Sequence, residues 1–273
     1  MPADLPVIGA CLPVEALAQY RDWLFEADRD IELQSFFLAE VLDGDWQALA
    51  DEARRQLDGH KGRIGIHGPF WGFTIHSMDP MIRRVVETRL MQGLDICEAV
   101  GADQMVIHSP YTTWDHNNLD NMPGARGKVV EYTHDTLSAV VKRAENQGVT
   151  LVIENIMDID PAERRRLAES FDSEQVKLSV DTGHAHYAHI STGAPPVDYF
   201  IQDAGPMLEH VHLQDADGYA DRHWSLGEGT IRWDAVFRAL AALEHRPRPM
   251  LELRDAGGIP ASMRFLTERG LGR

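Results

Sequence analysis

Hydrophobic and polar positions along this chain alternate between two periods. Short aliphatic runs, VIGACL (7–12), DIELQSF (30–36), RIGIHGPF (63–70) and QMVIHSPY (104–111), are followed by TLVIENI (150–156), VKLSVDT (176–182), HVHLQD (210–215) and PMLELR (249–254). Runs of this length and composition read as buried parallel strands. Between them lie segments of helical period: VEALAQYRDWLFEA, DWQALADEARRQL, residues 79–100 and residues 129–147. Asp79-Pro80 predicts an N-cap followed by a first-turn proline, and Gly148 a C-terminal stop. Shorter helices are expected at PAERRRLAES, VDYFIQDAG, IRWDAVFRALAAL and PASMRFLTERG, with ERRR (163–166) as a solvated face. Eight strand-then-helix units predict an α/β fold, one (β/α)8 TIM barrel over residues 1–273. A doubly wound open sheet is the alternative. It usually carries fewer strands and a glycine-rich turn after the first, where this chain has CLPVEAL.

Polar residues interrupt these runs near their C-terminal ends, the face of a βα barrel where chemistry takes place. The third strand ends in His67, the fourth in His108, the fifth in Glu154, the sixth in Asp181, the seventh in His212 and the eighth in Glu252. His184 follows Asp181 across a strand-to-turn corner, DTGH, and Asp221 and His223 form a second pair, DRH. Taken singly, each is more often a hydrogen-bonded structural or surface group. Six in the same relative position on consecutive strands point to a shared purpose, and carboxylates crowded at one mouth repel unless cations hold them. Five imidazoles and four carboxylates suit Zn or Mn first, then Co or Fe, and suit Ca or Mg poorly.

With these residues the chain resembles the xylose isomerase-like TIM barrels, which include sugar isomerases, sugar epimerases and the endonuclease IV enzymes. Glu154, Asp181, His212 and Glu252 look like the single-metal set of the keto-sugar epimerases. Adding His67, His108, His184, Asp221 and His223 gives a set similar to the three-zinc site of endonuclease IV, and DRHWSLGEG (221–229) is close to that branch. The resemblance implies one to three divalent ions per chain.

Three functions compete. In the first, an isomerase or epimerase acts on a small sugar or sugar phosphate through an enediolate-type proton transfer, with a divalent ion acidifying the C–H beside the carbonyl. Glu154 and Glu252, three strands apart around the rim, are the expected proton carriers. Phe70, Trp71, Tyr111, Trp114, Tyr187 and Trp224 follow strand ends and are expected either to wall the pocket or to pack in the core or a lid. Arg254, two beyond Glu252, either faces the substrate by period-2 alternation or pairs with a nearby aspartate. In the second, a zinc-dependent phosphoester hydrolase of endonuclease IV type uses the full ligand set. There Phe70-Trp71 keep the apolar type of a DNA wedge, but the loop FFLAEVLDGDWQALADE is acidic and repels a duplex. The eight residues LQDADGYA between His212 and DRH also look shorter than in the endonucleases. A third class, a barrel that binds without turnover, has no positive support. Glu32 is expected on the pocket floor, His210 in the core, and His186 and His189 behind the ligands.

Composition narrows partners more than fold. Lys+Arg 26 against Asp+Glu 43 gives a net charge of −17, which argues against nucleic acid or an anionic membrane as partner. Three bound divalent ions would bring it only to −17 + 6 = −11. Cys11 and Cys97 are too few for a disulfide framework. The start, MPADLPVIGACLP, lacks a basic region before an apolar one, and no apolar run has membrane-helix length, so a cytoplasmic location is expected. The expected partner is a small carbohydrate, with a homo-oligomer left open.

Overall fold

A computed structural model describes residues 5–273; residues 1–4, the start of the stretch read for targeting signals, lie outside the described residues. All eight expected strands form: β1 (Gly9–Leu12), β2 (Ile31–Leu33), β3 (Ile64–His67), β4 (Gln104–His108), β5 (Thr150–Glu154), β6 (Val176–Asp181), β7 (Leu208–Leu213) and β8 (Arg248–Leu251). They pair in parallel in chain order, and β1 closes on β8 through Gly9 beside Met250 and Ala10 beside Leu251. Closure eliminates the open-sheet alternative. Glycine is required at Gly9, where a Cβ would overlap the Asp30 carbonyl and the Met250 sulfur.

The helices follow their capping chemistry. Asp79 Oδ1 accepts the Met81 N–H at 2.7 Å, Pro80 opens the helix Pro80–Val100, and Gly101 ends it with φ 72°. The helix Ala125–Gln147 begins before the expected position 129 and stops at Gly148, φ 70°. Buried Leu90, Leu94, Leu137 and Val140 from these two helices pack in one core with Ile66, Ile107, Leu151 and Ile153 from the strands. That core fixes the strands, and the strands fix the rim.

Two local expectations are corrected. DTGH is not a turn: Asp181 is the N-cap of a helix Thr182–Thr192, its Oδ1 accepting the His184 N–H at 2.6 Å. ERRR is not a solvated face, because Arg164 is fully buried. It donates to the carbonyls of Ile153, at 2.7 Å, and Ser179, and it lies 3.3 Å from the buried carboxylate of Asp158. Among the described residues no helix is long and apolar enough to cross a membrane.

Candidate functional site

In a parallel barrel, register decides which side chains share a height. His108 sits beside Glu154 across β4 and β5, and Asp181 beside His212 across β6 and β7. The second pairing depends on a register shift: Leu178 pairs with Leu208, but Ser179 pairs with His210, so Glu209 is bulged out. In uniform register Asp181 would lie beside Val211. The bulge re-aims both histidines of β7, as bulges beside active sites commonly do.

Nine side chains from the rim thereby gather into three groups whose ligand atoms lie within 4.8 Å of one another. One is His67, His108 and Glu154; another is Glu154, Asp181, His212 and Glu252; the last is His184, Asp221 and His223. His212 Nδ1 lies 3.0 Å from Glu154 Oε1 and 3.2 Å from Glu252 Oε2. Glu154 Oε2 lies 3.7 Å from His67 Nε2 and 3.6 Å from His108 Nε2. Asp221 Oδ1 lies 3.4 Å from His184 Nε2 and 3.0 Å from His223 Nε2.

Behind these atoms the imidazoles are anchored. The Nδ1 groups of His67, His184 and His223 face the carbonyls of Gly68, Asn155 and Glu252 at 3.0, 3.0 and 3.1 Å. A carbonyl can only accept, so Nδ1 carries a hydrogen and Nε2 is the nitrogen turned toward the group. His212 is reversed: its Nε2 meets Glu32 Oε1 at 3.1 Å, which leaves Nδ1 for Glu154 and Glu252. Glu32 also lies 3.1 Å from His210 Nε2, and His210 Nδ1 is 2.9 Å from Ser179 Oγ. Glu32 is thus beneath the floor, bracketed by two imidazoles.

Charge follows this geometry. Burial works against an ionised Glu154, yet the surrounding imidazoles of His212, His184 and His67 hold its carboxyl well below the usual range. Burial likewise opposes protonated His212, but Glu252, Glu32 and Glu154 hold it well above the usual imidazole value. Burial pushes Asp181 up to about 7 and His108 down to about 3. His223 is held up at about 9 by Asp221, Glu252 and Asp181 against the cost of its burial.

The donor set fits a cation. Glu154 Oε2 and Asp181 Oδ2 are buried without a hydrogen-bond partner. A buried carboxylate oxygen left unpaired is costly, and a divalent ion among oxygen and imidazole donors removes that cost.

Above the groups opens a cavity of about 560 Å³, walled by Gln34, Phe37, Phe70, Trp71 and Ile156. Phe70 stacks on His108 with ring centroids 4.1 Å apart, and Phe37 on Phe70 at 5.1 Å. The structure brings Phe70 and Trp71 to this cavity but not the other expected wall residues. Tyr111 is buried in a separate apolar cluster with Leu119, Val129 and Leu167. Trp114 is 74% exposed on a short helix, Thr113–Asn118. Trp224 pairs its backbone with Asp215 and lies under the Arg222 guanidinium. Arg254 misses the cavity because β8 stops at Leu251, so alternation does not carry through. Its Nη2 instead donates to the Asp221 carbonyl at 3.1 Å. His186 and His189 face Thr230 and the Ala194 carbonyl rather than the ligands. Gln34 shares the inward face of Glu32, two residues away, as alternation allows, but its donation to Glu252 is not legible in the sequence. Phe37 carried no signal.

A family model described as xylose isomerase-like TIM barrel matches residues 29–269. The chain belongs to this family. The expected likeness to the xylose isomerase-like TIM barrels is met by this match. A D-tagatose 3-epimerase-like protein superposes with TM-score 0.76 at 21% identity, covering 96% of each chain. A Thermus thermophilus protein soaked with zinc chloride superposes with TM-score 0.71 at 27% identity, covering 97% of this chain and 99% of its own. A probable endonuclease 4 of Persephonella marina is 22% identical over 83% of this chain and 87% of its own length. The chain spans 61% and 49% of the lengths of two further relatives, both uncharacterized.

Proposed function

We propose that this xylose isomerase-like barrel is a divalent-metal-dependent isomerase or epimerase of a small polyhydroxylated carbonyl compound, a sugar or sugar phosphate, working with Zn or Mn. The observation that carries this reading is the convergence of Glu154 and Glu252, which line a cavity sized for one small ligand, on one imidazole nitrogen of the buried His212. The D-tagatose 3-epimerase-like neighbour supports the same substrate class. Closure of all eight strands into one barrel supports reading the described residues as one functional domain.

Glu154, Asp181, His212 and Glu252 would hold the ion. Such a cation, when bound, supplies Lewis acidity that makes a C–H beside a carbonyl easier to deprotonate. Glu154, held ionised by its imidazole neighbours, is the residue assigned to take the proton, as well as one of the four that would hold the ion. Glu252 reaches the cavity from beyond β8, oriented by the Gln34 amide, and is placed to return a proton to the same carbon. Phe70 and Trp71 shield the reacting carbon from water and give a sugar ring an apolar face.

A second reading, phosphoester hydrolysis on a metal cluster, is favoured by one observation: the ligands form three groups rather than one. Ketose epimerisation and abasic-DNA nicking assays on the metal-loaded chain separate the two. Ketose turnover without nicking supports the first reading; nicking without ketose turnover overturns it.

A further inference from the structure

Gln214 lies just past β7, is fully buried, and commits its amide to three of the candidate ligands. Its Nε2 donates to Asp181 Oδ1 at 3.2 Å and to Asp221 Oδ1 at 3.1 Å, and its Oε1 accepts the His223 backbone N–H at 2.9 Å. The last bond fixes the amide's orientation, because a backbone N–H can meet only the oxygen. His223 has φ 50°, a left-handed conformation that a residue other than glycine keeps only when its surroundings enforce it. Gly183 makes room for the device: a Cβ there would run into the carbon, oxygen and nitrogen of the Gln214 amide.

These contacts join residues of different groups. Asp181 belongs with Glu154, His212 and Glu252, whereas Asp221 and His223 belong with His184. We propose that Gln214 is a positioning residue that joins the two groups, clamping the loop of Asp221 and His223 against Asp181 so that the His184 group can take up a cation of its own. The inference rests on the reading above for the ion at Glu154, Asp181, His212 and Glu252, and adds a second ion at His184, Asp221 and His223. A neutral donor between two carboxylates offsets their repulsion without adding charge. It also engages Asp181 Oδ1, which already accepts from the His184 N–H, and leaves the buried, unpartnered Oδ2 as the oxygen for a cation.

The test is Gln214→Glu, which keeps the shape and the acceptor toward His223 but replaces the donor with an oxygen facing two carboxylates. Metal-stripped chain is titrated with zinc by calorimetry, bound zinc is counted after desalting, and His184→Ala marks which ion belongs to which group. The wild type is expected to take up at least one zinc for each of the two groups. Gln214→Glu should keep the ion retained by His184→Ala and bind the other about 10- to 100-fold more weakly. Gly183→Ala, which displaces the amide without changing charge, should show the same selective loss and stands in if Gln214→Glu does not fold. Unchanged zinc affinities in the folded variants, or equal weakening of both ions, would overturn the coupling. A wild-type chain that binds a single zinc would remove the two-group reading itself, and the coupling with it.

Discussion

Glu154 Oε1 lies 3.0 Å from His212 Nδ1 although 58 positions separate the two residues in the chain. The contact joins β5 to β7 across the mouth of a closed barrel, and it exists because the bulge at Glu209 turns His212 inward beside Asp181. Most of what the site can do follows from this pair and the carboxylates around it.

Replacing Glu154 or Glu252 by glutamine removes a proton acceptor while keeping side-chain shape. Turnover should fall about 10²- to 10⁴-fold in either variant, with an unchanged circular dichroism spectrum. Steady-state kinetics on the metal-loaded variants checks this; full activity in either would contradict the proton-transfer roles.

Metal uptake should be coupled to proton release. In the metal-free chain carboxylates hold His223 at about 9, and His184 and His212 well above the usual imidazole value, so all three carry protons at neutral pH. A cation must displace them, so zinc affinity should rise with pH, and His223 sets part of that rise near 9. The stability of the metal-free chain runs the other way. A raised imidazole value contributes stability that is complete below the unfolded pKa of about 6.5 and is lost as pH rises through the folded value. Calorimetry in buffers of different ionisation heat tests the first sign, and melting curves of stripped protein across this pH window test the second.

Arg164→Leu should lower stability by about 3–5 kcal/mol, because it strands the buried carboxylate of Asp158 and frees the carbonyls of Ile153 and Ser179. Arg165→Leu, one residue along the same helix and partly exposed, should cost at most about 1 kcal/mol. Denaturant unfolding of both variants makes the comparison.

Trp71→Ala should raise KM for a sugar substrate about tenfold, the loss of one aromatic contact. Trp114→Ala should leave KM unchanged, since Trp114 lies outside the cavity. An equal effect of both variants would contradict the placement of the pocket.

The barrel is legible in the sequence because its signals are local and repeated: an aliphatic run, a cap, an amphipathic stretch. The nine ligands are legible because a polar residue that closes an aliphatic run stands out. What escapes depends on where strands stop and how they slip. Alternation sets Arg254 on the pocket face only if β8 runs past Leu251, where it ends, and the closeness of Trp114 to His108 in sequence hides the bend at Pro110 and the start of the helix Thr113–Asn118 between them. The bulge at Glu209, which aims His212, leaves no mark in a run of alternating HVHL. Arg164 sits in a row of charges that reads as a surface, and only its carbonyl partners on β5 and β6 explain its burial.

The most direct test of the central claim is solvent exchange at carbon. Metal-stripped chain, reloaded with Mn, Co or Zn, is incubated with D-fructose or D-tagatose in deuterium oxide and followed by proton NMR. A metal-dependent loss of the C–H signal beside the carbonyl, with appearance of a deuterated epimer or isomer, is the result this account predicts. No exchange with any of these metals, while the same loaded protein cleaves a phosphoester, would contradict it.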